Sequence, residues 1–223
     1  MTSALPVERV VVLDPDFGRM AVEAGEHAVG LPGLTLREKA FTWIASDVCH
    51  GHLGLPFELH LTVARQTGAG WAELREVLRH LAPYAGYPAV VEAFARLTQI
   101  QGPQGDPGIS ALDTMDATEP ALPIGVDADF ARWATMQHTD RWCRPLLTHR
   151  ERALLCVAVD VLQQTLGAPL SAHVRMALAA GANAETLRAL LRVMGELGMS
   201  KVWQAFPELE NHLRHSRNSA PQE

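Results

Sequence analysis

The second half of this chain repeats the first, and that limits the folds open to it more than any other feature. His60 is matched by His173, Gly68 by Gly181 and Leu74 by Leu187, each pair 113 positions apart. Upstream, at the same offset, Asp14-Pro-Asp-Phe17 is answered by Asp127-Ala-Asp-Phe130. Pro32-Gly-Leu-Thr-Leu-Arg-Glu38 is answered by Pro145-Leu-Leu-Thr-His-Arg-Glu151, and Asp47-Val48 by Asp160-Val161. One residue is lost after Tyr84, so Gly86 pairs with Gly198 and Phe94 with Phe206. A unit repeated at this length buries its apolar face against its own copy. The expected organisation is a first repeat over residues 14–101, a linker over 102–126 and a second, diverged repeat over 127–214.

Each repeat reads as helices. Thr35-Leu-Arg-Glu38 and Thr148-His-Arg-Glu151 have capping-box spacing, in which the threonine oxygen and the glutamate each satisfy an amide of the first turn. The first of these helices runs to about His50, with Ala40, Ile44 and Val48 at four-residue spacing. Its copy, Ala153 to Leu162, is apolar nearly all round and is expected at the centre of the core. Pro56 and Pro169 suit the first turn of the next helix, and Gly68 and Gly181 suit its end. Leu74, Val77, Leu78 and Leu81 form a helical stripe, repeated by Leu187, Leu190, Leu191 and Met194. A last helix in each repeat carries Val90, Val91, Ala93 and Phe94, or Val202, Trp203, Ala205 and Phe206. Asp14 or Asp16 caps a first helix through about Gly25, preceded by an extended apolar tail, Val10 to Leu13. No strand pair is legible, so the fold class is all-α. The Gly-Pro-rich connector after Gln101 is expected to be exposed, and the polar tail after Arg214 to fray.

Composition removes several function classes. The formal charge of −6, with no basic stripe, argues against a nucleic-acid partner. Cys49, Cys143 and Cys156 show no paired spacing, which suits a reducing compartment. The first residues lack the basic start and long apolar run of a signal peptide. The most apolar stretch is too short for a bilayer and contains Asp160. A cytoplasmic protein with no membrane partner is expected.

Several residues carry possible chemistry, each with a plainer alternative. His60 lies one turn inside the Pro56 helix, and His173 holds the same place. Partial positive charge at a helix start disfavours imidazolium, leaving a neutral ring able to give or take a proton. The alternative is a histidine that ties two helices by a hydrogen bond. Glu73, Glu76 and His80 share a helix face opposite much of the leucine stripe. Glu76 and His80, one turn apart, are placed to interact directly, and a carboxylate beside a histidine fixes its ring for acid–base work. The alternative is a solvated face, which is preferred for Glu73. Pro83-Tyr84-Ala-Gly-Tyr87-Pro88 holds both tyrosines of the chain, whose hydroxyls could stabilise an oxyanion or simply pack a turn. Where the first repeat has Glu76, His80, Tyr84 and Tyr87, the second has Ala189, Val193, Leu197 and Met199. The first repeat is therefore expected to keep the working site and the second to serve as its structural partner. Arg37 and Arg150 match between repeats and either bind a substrate carboxylate or pair with a neighbouring acid. Cys49-His50-Gly-His52 offers three candidate ligands too close in sequence to converge on one ion, so no metal is expected.

The stretch Glu73-Leu-Arg-Glu-Val-Leu-Arg-His80-Leu-Ala-Pro-Tyr84-Ala-Gly-Tyr-Pro88-Ala resembles the carboxymuconolactone decarboxylase family. That family pairs a Glu-x-x-Glu helix and a histidine with Tyr-x-Gly-x-Pro-Ala. Leu34-Thr-x-Arg-Glu-Lys, the histidine eight residues before Gly68, and Trp142-Cys-Arg-Pro-Leu-Leu-Thr-x-Arg-Glu-Arg extend the resemblance across nearly the whole chain. It implies an all-α fold of two tandem repeats and a ring of protomers, with a trimer of tandem chains standing for a hexamer of single units. It also implies decarboxylation of an unsaturated lactone acid without a cofactor. Under it, His60, His80, Tyr84 and Glu76 are the expected catalytic residues, and Arg37, Tyr87, His173 and Arg150 the expected substrate-binding ones.

The same superfamily includes alkylhydroperoxidase D-like enzymes with a Cys-x-x-Cys pair. Here those positions are Leu53 and Pro56, and Leu166 and Pro169. The acid of their preceding helix falls near Ala40 and Ala153, and Cys49 is a lone thiol, so a thiol peroxidase is disfavoured. The leading expectation is a small-molecule lyase acting on a lactone or related cyclic acid. The runner-up is a non-catalytic small-molecule-binding or assembly protein of the same fold. One buried pocket holding both His60 and His80 would favour the lyase; wide separation would favour the runner-up.

Overall fold

The computed structural model describes residues 7–102 and 127–218. The expected linker and the last residues of the tail lie outside them. The described residues are helical throughout, with no strand. The first repeat holds α2 (Pro15–Gly30), α3 (Leu36–His50), α4 (Leu55–Gln66), α5 (Trp71–Ala85) and α6 (Tyr87–Gln101). The second holds α7 (Ala128–Trp142), α8 (His149–Gln163), α9 (Ala168–Ala179), α10 (Ala184–Val193), a 3-10 turn (Met194–Leu197) and α11 (Met199–Asn218). The apolar run expected as an extended tail is instead helix α1 (Val7–Leu13). It packs on α2 so closely that Val11 Cα would lie 2.6 Å from a Cβ on Gly18.

The local rules hold where the sequence wrote them plainly. Asp14 caps α2 through Phe17 N. Thr35 and Thr148 form complete capping boxes with Glu38 and Glu151. Gly68 and Gly181 take positive φ just past α4 and α9. α3 and α8 are buried along almost their whole length, Glu38 to Val48 and Glu151 to Leu162. They pack on one another at the middle of the molecule, where a helix apolar on all sides must go.

The contact between the repeats is reciprocal. Arg37 Nε donates to Glu151 Oε1 at 2.6 Å, and Arg150 Nε donates to Glu38 Oε1 at 2.7 Å. Arg37 also pairs with Glu73 at 2.7 Å, whose other oxygen caps the Gly70 amide. Glu73 is thus half-buried scaffolding, not a solvated residue. The matched arginines are committed to acids of this scaffold, and those pairs account for both without a substrate carboxylate. Each repeat also lends a segment to the other: α5 packs on α8 and α7, and the 3-10 turn packs on α3 and α2.

A buried cation in each half ties down the loop before the central helix. Lys39 Nζ donates to the carbonyls of Val29 and Leu31 at 2.6 and 2.5 Å. Arg152, its counterpart, donates through Nη2 to the carbonyls of Arg144 and Pro145 at 2.6 and 3.2 Å. In that loop of the first repeat Gly33 has φ +98°, and an added Cβ would lie 2.7 Å from Ala189 Cβ. Gly33→Ala is expected to cost about 2–4 kcal/mol, shared between the left-handed φ and the clash. Adding Ala189→Gly should return only the clash component. Urea denaturation of the wild type, single and double variants checks this; a Gly33→Ala protein as stable as the wild type would show that the loop yields freely.

Candidate functional site

A buried aspartate is tolerated only if something answers its charge, and in both repeats that partner is the histidine 13 residues on. Asp160 Oδ2 lies 2.6 Å from His173 Nδ1, and Asp47 Oδ2 lies 2.6 Å from His60 Nδ1. Asp47 and Asp160 are almost fully buried, while the His60 and His173 side chains keep 22% and 14% of their surface exposed. With Nδ1 held by the carboxylate, Nε2 of each ring is the nitrogen left to face a ligand. Burial raises the Asp47 pKa above the ordinary aspartate value, partly opposed by the hydrogen bond and charge of His60.

The surroundings of the two dyads differ. His173 meets the polar residues of α5. Its ring stands edge-on to Tyr84, with centroids 5.4 Å apart. The Tyr84 hydroxyl accepts from Trp142 Nε1 at 2.9 Å and lies against the Cys156 thiol. Burial pushes the Tyr84 pKa well above 10 and Cys156 acts in the same direction, so the phenol stays a donor. His80, completely buried, packs against both Tyr84 and Trp142. Its Nε2 donates to the Arg152 carbonyl at 3.0 Å, and Arg152 Nη1 approaches its Nδ1 at 3.4 Å. Burial first, and the Arg152 charge second, hold the His80 pKa well below 6.5. This cluster draws on α5, α7, α8 and α9, so both repeats build it. Around His60, Val193 and Leu197 replace His80 and Tyr84, and Trp43 stacks on His60 at 5.6 Å where Cys156 would stand. The one acid from the 3-10 turn, Glu196, lies near both His60 and Trp43, and burial raises its pKa.

The residues expected to form one site are thus sorted into separate places. His60 and His80 do not share a pocket; His80 shares its cluster with His173. The second repeat, expected to be a structural partner, contributes His173, Asp160, Cys156 and Trp142 to the cluster around Tyr84 and His80. Glu76 does not hydrogen-bond to His80. Its fully buried carboxylate accepts from Arg144 Nε at 2.9 Å on both oxygens, from Arg152 at 3.3 Å and from Arg79 at 3.4 Å. Arg152 therefore stands between Glu76 and His80. Tyr87 faces outward at the start of α6, where its hydroxyl meets Gln137 and accepts from Arg141 at 2.9 Å. His50 stacks on His52 and meets Lys201 Nζ at 2.8 Å through Nε2. Among the described residues no group of three or more His, Cys, Asp or Glu side chains is arranged to hold a metal ion.

Sequence reasoning passed over Asp47, Asp160, Arg152, Cys156 and Trp142. The signal for the aspartates was present: each interrupts a helix that is otherwise buried, at the same distance before a histidine. Nothing local marks Cys156 or Trp142, because their roles arise only when the repeats meet.

The depressed His80 pKa has a consequence for stability. An unfolded histidine takes up its proton near pH 6.5, whereas native His80 does so only at lower pH. Its contribution is therefore intact above about pH 6.5 and is lost as pH falls below that value. In His80→Gln, the drop in unfolding free energy between pH 7 and pH 5 should shrink by up to about 2 kcal/mol. Denaturant titrations at the two pH values measure it; an unchanged drop would mean that His80 titrates normally.

Two regions of the chain, residues 15–99 and 130–211, match the model of the carboxymuconolactone decarboxylase family. A crystal structure from Burkholderia xenovorans LB400, of a protein assigned as a gamma-carboxymuconolactone decarboxylase subunit, is similar in fold. It superposes with a TM-score of 0.54 at 22% identity, covering 96% of this chain and 92% of that one. No curated protein matches the chain. Among the described residues no helix is long and apolar enough to cross a membrane.

Proposed function

Because the chain belongs to the carboxymuconolactone decarboxylase family, we propose that the His173 cluster is the active site of a cofactor-independent lyase that removes carbon dioxide from a lactone or related cyclic acid. The observation that carries this reading is the Asp160–His173 dyad, whose imidazole, held through Nδ1, stands edge-on to the Tyr84 ring.

The chemistry needs two things. When the bond to the carboxylate carbon breaks, its electron pair moves into the conjugated lactone carbonyl, and carbon dioxide leaves. For this the Tyr84 hydroxyl, which donates to the Cys156 sulfur in this structure, has to turn its proton to the resulting dienolate oxygen, the charge that most needs stabilising. His173, carrying a proton on Nε2, then delivers it to carbon and regains one from water. Asp160 fixes the ring and balances its positive charge while the proton is held. His80 has both nitrogens engaged, so its role is to position Tyr84 and Cys156 and not to exchange protons. Glu76 acts one step further back, as the counter-charge of Arg152. Arg152 is already paired and does not grip the leaving carboxylate; such a grip would stabilise the ground state and slow the reaction. Arg37 and Arg150 fall out of the substrate site for the same reason: their charges are already met. His60 keeps a dyad that faces the carboxyl of Glu196 but no phenol, and is assigned no part in the main reaction.

Carbon dioxide release from γ-carboxymuconolactone and related unsaturated lactone acids tests the reading. Turnover should fall by about 10²–10⁴ in His173→Ala and about 10²-fold or more in Tyr84→Phe. It should change only a few-fold in His60→Ala. Two observations favour the second reading, a non-catalytic binding or assembly protein: His60 and His80 sit in different clusters, and every polar group of His80 is satisfied inside the protein. No turnover on any of these acids, or turnover indifferent to His173, would leave that second reading standing.

The protein is also proposed to be a homo-oligomer, as a trimer of tandem chains. Phe17 and Met20 on α2 and Phe130 and Trp133 on α7 are exposed at matched positions of the two repeats. A head-to-tail contact between such like patches closes into a ring. Sedimentation equilibrium should give three times the 24.3 kDa chain mass, and Trp133→Glu should return single chains. A wild-type protein that sediments as one chain would end the proposal.

A further inference from the structure

An open groove of about 390 Å³ runs between α5, α6 and α7. Its apolar lining is Ala82, Val90, Val91 and Phe94; its polar lining is Tyr87 and three arginines, Arg79, Arg141 and Arg144. The balance of charge here is unusual for an acidic chain. Arg79, Arg144 and the buried Arg152 all share one carboxylate, Glu76. Arg141 pairs with the exposed Asp140 at 2.9 Å. Four guanidinium groups therefore meet two carboxylates, in a protein whose formal net charge is −6.

The arginines are also incompletely used. Arg144 gives only Nε to Glu76, which leaves its two terminal amino groups. Arg79 reaches Glu76 only at a long 3.4 Å and is about one-third exposed. A guanidinium fork is shaped for a planar carboxylate, and a groove of this volume with a few convergent polar groups is the usual form of a small-molecule site.

We propose that this groove is a binding site for a small carboxylate with a ring-shaped apolar body. The carboxylate would sit on Arg79 and Arg144, and the ring would lie on Val90, Val91 and Phe94. Arg141, held in place by Tyr87 and Gln137, closes the polar end. The site is separate from the His173 cluster and does not depend on the reaction proposed there. An occupant draws on the same guanidinium groups that hold Glu76, so it bears on the Glu76–Arg152 pair behind His80.

Calorimetric titration of the full chain tests it, with benzoate and cyclohexanecarboxylate as probes and benzamide as the uncharged control. Both acids should bind saturably, one per chain, with a Kd of about 1 mM or tighter. Benzamide should bind at least tenfold more weakly, and the benzoate affinity should fall as salt is raised. Arg79→Gln with Arg141→Gln, both at partly exposed positions, should weaken benzoate tenfold or more with the helical circular dichroism unchanged. The proposal is overturned if benzoate fails to saturate, if benzamide binds as well, or if the double variant binds benzoate normally. Inorganic phosphate binding in place of benzoate would reduce the groove to a general anion site and would also overturn it. So would benzoate binding that appears only after Trp203→Ala, which would mark the groove as a seat for the exposed Trp203 of a second copy.

Discussion

A guanidinium leaves water at low cost only if its charge and most of its donors are met, and Arg152 leaves water completely, with Nε the one nitrogen that lacks a partner. Glu76 supplies the charge, and the carbonyls of Arg144 and Pro145 supply acceptors. Glu76 comes from the first repeat and Arg152 from the second, so this ion pair exists only when the repeats are docked. Removing one partner of such a pair typically costs about 3–5 kcal/mol, because the other charge is stranded. The site depends on it directly. Arg152 offers His80 a carbonyl on one side and a cation on the other, which sets the tautomer and keeps the ring neutral. His80 in turn packs against Tyr84 and Trp142, the pair that faces His173.

The fold was legible because its determinants are local. Capping boxes, first-turn prolines and positive-φ glycines each act within a few residues, and they recur in both repeats, which doubles the signal. The miss at Val10–Leu13 has the opposite cause: a helix that short has little stability of its own and is held by Gly18, whose missing side chain lets α1 approach α2. The site was half legible. His60, His80, Tyr84 and His173 stood out as residue types, but their grouping follows the docking of α5 on α8, which no spacing rule encodes. The i, i+4 relation of Glu76 and His80 suggested a direct contact. Both side chains instead face a central helix that carries an arginine between them. Arg37 and Arg150 carried an ambiguity that only geometry resolves, since an arginine matched between repeats suits a substrate and a reciprocal ion pair equally well.

The two dyads show how a repeat can keep one geometry and change its chemistry. The Asp–His distance is 2.6 Å in both, because it is set within a repeat by the packing of α3 on α4 and of α8 on α9. The groups around each imidazole come from across the interface, and these vary as sets. Arg152 goes with Glu76, His80 and Tyr84. Lys39 goes with Ala189, Val193 and Leu197, and finds its acceptors in loop carbonyls alone.

Exchanging single members between the sets would not transfer the chemistry. Arginine in place of Lys39 would bring a guanidinium to Ala189, where no carboxylate waits. Glutamate in place of Ala189 would press a charged side chain onto Gly33, where even one added carbon lies 2.7 Å from the Ala189 methyl. The buried charges therefore make each half-site an indivisible block. Within one chain this permits what identical subunits related by symmetry cannot have: one dyad facing a phenol and a second histidine, and another, geometrically equal, facing Val193, Leu197 and the acid Glu196. A proton placed on His173 has a phenol beside it that can take part in the same step. A proton placed on His60 meets the Trp43 ring and, from the facing repeat, the carboxyl of Glu196 in place of a phenol. The difference in what the two histidines can do arises not from the histidines or their aspartates but from the helix that each repeat presents to the other.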